Sequence, residues 1–285
     1  MKRRRFLQIA TLAALAGQGA RAETWRGQAF GADVAITLPG EVPLARVQRE
    51  IAEIETVFSL HRPSELTRLN ATGRGPGSER MRAVLAQAAR VHGATGGAFD
   101  PTVQRLWRAL AEGGDTTTAR LSIGFERIDM ETEIAMGQGQ EITLNGIVQG
   151  HAADRVAALL AALGHDDCLI DMGEFAALGG PFRLGISDPS VGLIATRHIG
   201  RGSDRALATS SPGALALPGG SHILGPRGEA PRWSTVTVGA ESAALADAAS
   251  TAFVLMDQAA IERAKAQLGL GAITLVDFDG NMQTI

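Results

Sequence analysis

The sequence contains no tyrosine, one cysteine and only two lysines in 285 residues. A lone Cys168 can close neither an internal disulfide nor a thiolate metal cage. With Lys2 and Lys265 as the only lysines, Schiff-base chemistry and a P-loop have almost nothing to rest on. No G-x-G-x-x-G follows a predicted strand, and G-x-S-x-G, S-x-x-K and H-E-x-x-H are all absent. The six histidines show no zinc-ligand spacing. Dinucleotide-binding, serine-hydrolase and zinc-enzyme readings therefore lack support. No apolar run is long enough to cross a bilayer.

What is present begins with the first 22 residues. Lys2, Arg3, Arg4 and Arg5 form a charged start, Ile9 to Ala16 a short apolar core, and Ala20-Arg21-Ala22 a small-x-small cleavage site. This is the pattern of a removable export signal. Phe6-Leu7 behind the arginines resembles the twin-arginine type, with an ordinary secretory signal as the alternative. The mature chain, residues 23–285, would carry 22 basic and 30 acidic side chains, a formal charge of −8. That excludes a basic nucleic-acid footprint and a polybasic membrane patch. The expected location is the periplasm, without stable membrane insertion.

The rest of the chain carries no linker, low-complexity tract or fixed-period repeat. Ala32 to Leu38 alternates as a strand, and Leu44, Val47, Ile51, Ile54 and Phe58 recur at helical spacing. The pattern predicts further helices over 81–92 (stopping at Gly93), 101–112, 150–163 and from Ser242 through Phe253. It predicts strands over 168–172, 182–186, 233–238 and 272–278. Strands and helices mix without strict β-α-β alternation. The expectation is therefore one α+β domain, a mixed sheet with packed helices, following the export signal.

Three constellations carry possible chemistry. Asp247 and Thr251, four apart among alanines, place two oxygens on one helix face, where a hard cation could be held. The competing reading is a solvated helix face. Asp100-Pro101-Thr102 is a standard helix start, and the same turn could offer amides to a ligand. His222 lies in a Gly- and Pro-rich stretch, either solvated or available as a general base.

The order of these pieces is more specific than any one of them. Phe58-Ser59 with Ser64-Glu65-Leu66-Thr67-Arg68-Leu69-Asn70 resembles a block of the FAD:protein FMN transferases, the ApbE-type flavin transferases. Gly97-Ala98-Phe99-Asp100-Pro101-Thr102-Val103 and Gly146-Ile147 with Gly150 to Asp154 are similar to that family's next blocks. Gly185 to Pro189, Ala208-Thr209-Ser210, His222-Ile223 and Ala246-Asp247 to Thr251-Ala252 follow in its order.

The resemblance implies Mg²⁺-dependent transfer of FMN from FAD to a threonine or serine hydroxyl of an acceptor protein, with AMP released. The acceptor would belong to an electron-transfer system. It implies that Asp247 and Thr251 hold the metal with a backbone oxygen of Gly146, and that His222 is the base. Phe30, His61, Ala98, Phe99, Asp100, Thr143 and Gln149 would line the FAD site. Four of these depart from the family pattern: Phe30 stands for methionine, His61 for tyrosine, Thr143 for an acid and Gln149 for lysine. An altered recognition surface with intact metal and base positions leaves an alternative open: a non-catalytic, flavin-binding accessory of an exported electron-transfer system.

Overall fold

The computed structural model describes residues 22–200 and 204–285. The expected export signal lies outside these residues except for Ala22, which begins the first strand.

The amino-terminal half runs β1 (Ala22–Ala29), β2 (Ala32–Pro39), α1 (Leu44–Phe58), α2 (Glu65–Thr72), β3 (Arg74–Gly75), α3 (Glu79–Ala94), α4 (Gln104–Glu112), α5 (Thr116–Arg120), β4 (Ile134–Ala135) and α6 (Val148–Ala162). There follow β5 (Cys168–Asp171), β6 (Phe175–Leu178), β7 (Phe182–Asp188), β8 (Gly192–Ile199), β9 (Ala206–Ser210), β10 (Ala216–Leu217), β11 (Gly220–Ser221), β12 (Thr235–Ala240), α7 (Ala243–Phe253), α8 (Gln258–Leu268), β13 (Ile273–Val276) and β14 (Met282–Thr284). An eight-stranded sheet in the order β1-β2-β5-β6-β9-β12-β13-β14 forms the centre, and every pairing in it is antiparallel. The α+β expectation is met.

Alternation along the central strands assigns the two faces. Cys168 and Ile170 of β5, Ala176 of β6, and Ala206 and Ala208 of β9 join the main core beneath the helices. Their neighbours Leu169, Phe175, Ala177 and Leu207 point the other way and meet Phe182, Leu184 and Ile199 of the β7–β8 hairpin. The small residues on the helical face let α6 and α7 approach the sheet closely. In α7 only Thr251 escapes full burial. A helix that is apolar almost all round belongs inside the protein.

Several boundaries differ from the periodicity: residues 101–103 of the helix expected over 101–112 form a 3-10 turn ahead of α4, and the strands expected over 233–238 and 272–278 run Thr235–Ala240 and Ile273–Val276. The third helix passes Gly93 and ends at Ala94, with Thr95 as its cap. The sixth begins at Val148, two residues before Gly150. Glycine lowers helix propensity by about 1 kcal/mol, and packing in both helices outweighs that.

Candidate functional site

The centre of the site is a mutual clasp between the first turns of α6 and α7. Asp154 of α6 accepts hydrogen bonds from the amides of Ala243 (2.8 Å) and Ala244 (3.0 Å) and from the Ser242 hydroxyl (2.7 Å). In return, Asp247 of α7 accepts from the amide of Gly150, 3.1 Å away. Each carboxylate satisfies amides that a helix start leaves without partners. Gly150 is required for this approach, because a Cβ there would stand 2.2 Å from the Ala243 carbonyl oxygen.

Asp247 is only 4 % exposed, and no basic side chain pairs with it among the described residues. Burial pushes its carboxyl up to about 7, against the Gly150 amide bond that favours the charged form, and the nearby Asp154 raises it further. Asp154 is likewise raised, by burial, with its three hydrogen bonds opposing. The solvated-face alternative for Asp247 is thereby excluded. Spacing could not distinguish the two readings, because the layer covering α7 comes from distant parts of the chain.

One turn further along α7, the Thr251 hydroxyl lies 3.3 Å from Ser210 Oγ at the end of β9, and Ser210 in turn meets Ser250 at 2.8 Å. Gly146 is pressed against the same place. A Cβ on it would lie 3.0 Å from Thr251 Oγ1 and 3.4 Å from the Phe99 ring. Gly146, Thr251 and Phe99 are therefore in one cluster, next along α7 from Asp247. Among the described residues no three His, Cys, Asp or Glu side chains converge on a metal position. The donors available are one buried carboxylate, one hydroxyl and backbone oxygen. This is a hard-oxygen set too small for a closed cage, and it fits a Mg²⁺ that takes its remaining ligands from water and phosphate.

Ser210 also begins the path to His222. From Ser210 the chain makes a 3-10 turn over Pro212–Ala214 and reaches Leu215, whose carbonyl oxygen is 2.9 Å from His222 Nδ1. A carbonyl only accepts, so Nδ1 carries the proton and Nε2 keeps its lone pair. Burial lowers the pKa of His222, with the carbonyls of Leu215 and Pro212 opposing, which favours the neutral base. The β10–β11 hairpin that carries this histidine sits on α4, where a Cβ at Gly219 would lie 2.7 Å from Leu110. Beyond it, Arg227 donates to the Gly96 carbonyl (2.7 Å), tying the His222 segment to the loop that supplies Ala98, Phe99 and Asp100.

The expected FAD-lining residues play several parts. Ala98 and Phe99 are buried at the foot of that loop. The Asp100 carboxylate turns inward: Oδ1 accepts from the amide and hydroxyl of Thr102 (2.8 and 2.5 Å), and Oδ2 from the Phe125 amide (3.2 Å). It works as a helix cap and loop anchor. The Thr143 amide donates to the Pro101 carbonyl (2.8 Å), and its hydroxyl accepts from Asn145 (3.2 Å). Gln149 extends over Gly173, and its Nε2 is buried without a hydrogen-bond partner among the described residues. An unmet buried donor is costly and marks a place where a ligand acceptor would be welcome.

Phe30 heads the β1–β2 turn with φ of 53°, followed by Gly31 at 70°. A bulky residue in the left-handed region is uncommon and costs on the order of 1–2 kcal/mol. The turn is pinned by Glu55, which accepts from the Phe30 amide (3.1 Å) and from Arg62 (3.1 Å). His61, beside Arg62, is exposed, with its amide on Ser59 Oγ. Glu55 thus ties the Phe30 turn to the His61 loop. Cavities of about 320 and 460 Å³ lie elsewhere, the first around His165 and Arg205, the second around Arg105 and Arg108. The chemical groups, not these volumes, identify the site.

The model of the ApbE family matches residues 30–274, most of the chain and every residue of this cluster. The chain belongs to the ApbE family. A FAD:protein FMN transferase of Vibrio cholerae is 28% identical over 242 residues, covering 74% of this chain and 72% of that protein. One from Rhodobacter capsulatus is 27% identical over 278 residues, and the chain spans about half of its length (53%). Among solved structures, the flavin transferase ApbE from Vibrio cholerae superposes with a TM-score of 0.79 at 22% identity, covering 93% of this chain and 97% of that one. The ApbE protein of Thermotoga maritima gives 0.82 at 22% identity, with 92% and 96% covered. These likenesses establish the fold.

Sequence reasoning assigned no role to Asp154 or to the Leu215 carbonyl, and none to the hydroxyl of Ser210. A signal for Asp154 was available, since Ser242 reads as a helix cap, but its partner is 88 residues away.

Proposed function

We propose that this chain transfers FMN from FAD to a threonine or serine hydroxyl of an acceptor protein, with Mg²⁺ required and AMP released. The observation that carries the reading is Asp247: an enclosed carboxylate with no basic partner among the described residues, beside Thr251 and Gly146, in a chain of this family. A buried acid of this kind is stable in its charged form only when a cation joins it.

Mg²⁺ held by Asp247, Thr251 and the Gly146 carbonyl would neutralise the phosphate oxygens of FAD, which lowers the cost of adding negative charge at phosphorus. His222 Nε2 would take the proton of the acceptor hydroxyl. The acceptor oxygen then attacks the flavin-side phosphorus, a new P–O bond forms, and the bond to the AMP oxygen breaks. The Nδ1 bond to Leu215 keeps the imidazole in the tautomer this step needs. Gln149 Nε2, lacking a partner among the described residues, would donate to an oxygen or nitrogen of the bound FAD. Arg3-Arg4-Arg5-Phe6-Leu7 supports export to the periplasm, where the acceptor would be an electron-transfer protein. Replacing Arg3 and Arg4 by lysine should then retain precursor in the cytoplasm.

The direct test is incubation of the protein with FAD, Mg²⁺ and a threonine-containing acceptor peptide, followed by mass spectrometry. A peptide gaining one FMN, with AMP in equal amount, supports the proposal. FAD binding without transfer to any acceptor at any pH would support the accessory reading instead.

A further inference from the structure

The 460 Å³ cavity lies apart from the clasp and is strongly polar. Asn70, Arg74, Arg105, Arg108, Gly139 and Glu141 are among the residues that line it. Three arginines and one glutamate are among its lining residues, in a chain whose formal net charge is −3, or −8 over residues 23–285. Arg108 is paired with Glu141 at 2.6 Å, and Arg74 meets the exposed Glu133 at 3.5 Å. Arg105 has no carboxylate within ion-pairing distance among the described residues, although its charge is felt by Asp115 at longer range; it donates to the Gly139 carbonyl, at 3.2 Å.

The recess is also built rather than incidental. Gly139 has φ of 71°, and a Cβ there would stand 2.7 Å from Arg105 Nη1, so the loop leaves room for the guanidinium. Asn70 clamps the backbone of Ile142 through both its amide nitrogen (2.9 Å) and its oxygen (2.8 Å), which anchors the wall at the residue just before Thr143. Gln140 is buried and holds the Gly124 carbonyl and the Gly137 amide, at 2.6 Å each. No aromatic side chain lines the space, which argues against a nucleobase, since bases are held by stacking or apolar walls. A cationic recess of this kind suits carboxylates and would steer them electrostatically.

We propose that this recess receives an acidic segment of the acceptor protein, with an Asp or Glu among Arg74, Arg105 and Arg108 while the acceptor hydroxyl reaches His222. The inference rests on the transferase reading for the hydroxyl and on the recess alone for the acid. α4 supplies the scale: Arg105 and Arg108 face the recess, while Leu110 of the same nine-residue helix lies beneath the His222 hairpin. At 1.5 Å per residue and a helix diameter near 10 Å, the two places are on the order of 10–20 Å apart. An extended peptide covers that span in about 3–6 residues.

The test uses labelled peptides and the full chain without FAD. One peptide carries an acceptor threonine with an Asp-Glu pair four residues away, and the other carries Asn-Gln there. Fluorescence anisotropy should show the acidic peptide binding about tenfold tighter at low salt, with the preference shrinking as salt rises. Arg74→Gln with Arg105→Gln should abolish the preference while the melting temperature and FAD affinity stay unchanged. Arg105→Glu should shift preference to a Lys-Lys peptide. Equal affinity for the acidic and amide peptides, or a folded double variant that keeps the preference, overturns the proposal. In transfer assays the acidic peptide should lower KM with kcat unchanged. A charge preference without any transfer would sink the transferase reading and leave the recess standing; transfer without preference would do the reverse.

Discussion

Replacing Asp247 by asparagine separates the cost of the buried carboxylate from its use. In the folded protein its pKa rises from the usual 3.8 to about 7, chiefly through burial. Between those values the unfolded chain has released a proton that the folded chain retains, so stability falls as pH rises and levels off above about 7. At about 1.4 kcal/mol per pH unit, the penalty at pH 8 is bounded by roughly 4 kcal/mol. Asparagine has the same shape and can still accept from the Gly150 amide, but its NH₂ brings a new donor costing about 1–3 kcal/mol if unmet. The divalent-free Asp247→Asn variant should therefore be more stable than wild type at pH 8 by about 1–3 kcal/mol, and the gap should close at pH 5. For a chain of this size that is a rise of roughly 2–10 °C in melting temperature. Mg²⁺ with FAD should stabilise wild type at pH 8 and leave the variant unchanged, and transfer by the variant should be lost. Thermal melts at the two pH values provide the measurement. A variant less stable than wild type at pH 8, or a gap independent of pH, would refute the account of a carboxylate kept at a cost for a cation.

Three further outcomes follow from the same geometry. His222→Ala should reduce transfer by about 10²–10⁴-fold with FAD affinity nearly intact, and the wild-type rate should rise with pH through a midpoint below 6.5, because burial lowers this histidine; loss of FAD binding along with activity would make the residue structural. Gly150→Ala should destabilise the fold by about 2–3 kcal/mol in denaturant titrations, since its Cβ would overlap the Ala243 carbonyl, whereas an unchanged midpoint would disprove the clasp. Thr143→Asp should tighten FAD binding in calorimetry while keeping the turn bond to the Asn145 amide; equal or weaker affinity would count against Thr143 as a ligand contact.

Elements with strong periodicity were legible from local pattern alone: the strand near 32–38, the helix over 44–58 and the capped helix after Ser242 all occupy their expected places. Of the short strands, β5 and β13 lay near their expected places, whereas β6 and β9 were not legible. β6 and β9 pair through two residues each in the middle of the sheet, where small apolar residues carry little period and register depends on the partner strand. Spacing singled out Asp247, Thr251, Asp100 and His222 but left each with two readings, and family resemblance supplied the remaining site residues. For Asp100 the cap occupies one carboxylate oxygen and a tie to the Phe125 amide the other. For Asp247 the tertiary structure excluded the solvated face.

By itself, then, the sequence determined what chemistry was available: hard oxygen donors, one loop histidine, arginine in place of lysine, and too little thiol or zinc-ligand pattern for any metal-cage alternative. Helical spacing also set Asp247 and Thr251 on one face, because a 3.6-residue period is a local property. Only the tertiary structure decided that this face is enclosed, that Asp154 and Asp247 clasp each other's helices across 89 to 97 residues of chain, and that Leu215 fixes the tautomer of His222. Burial and hydrogen-bond partnership are sums over neighbours brought in from far along the chain. They set the charge state of a carboxylate and the tautomer of an imidazole.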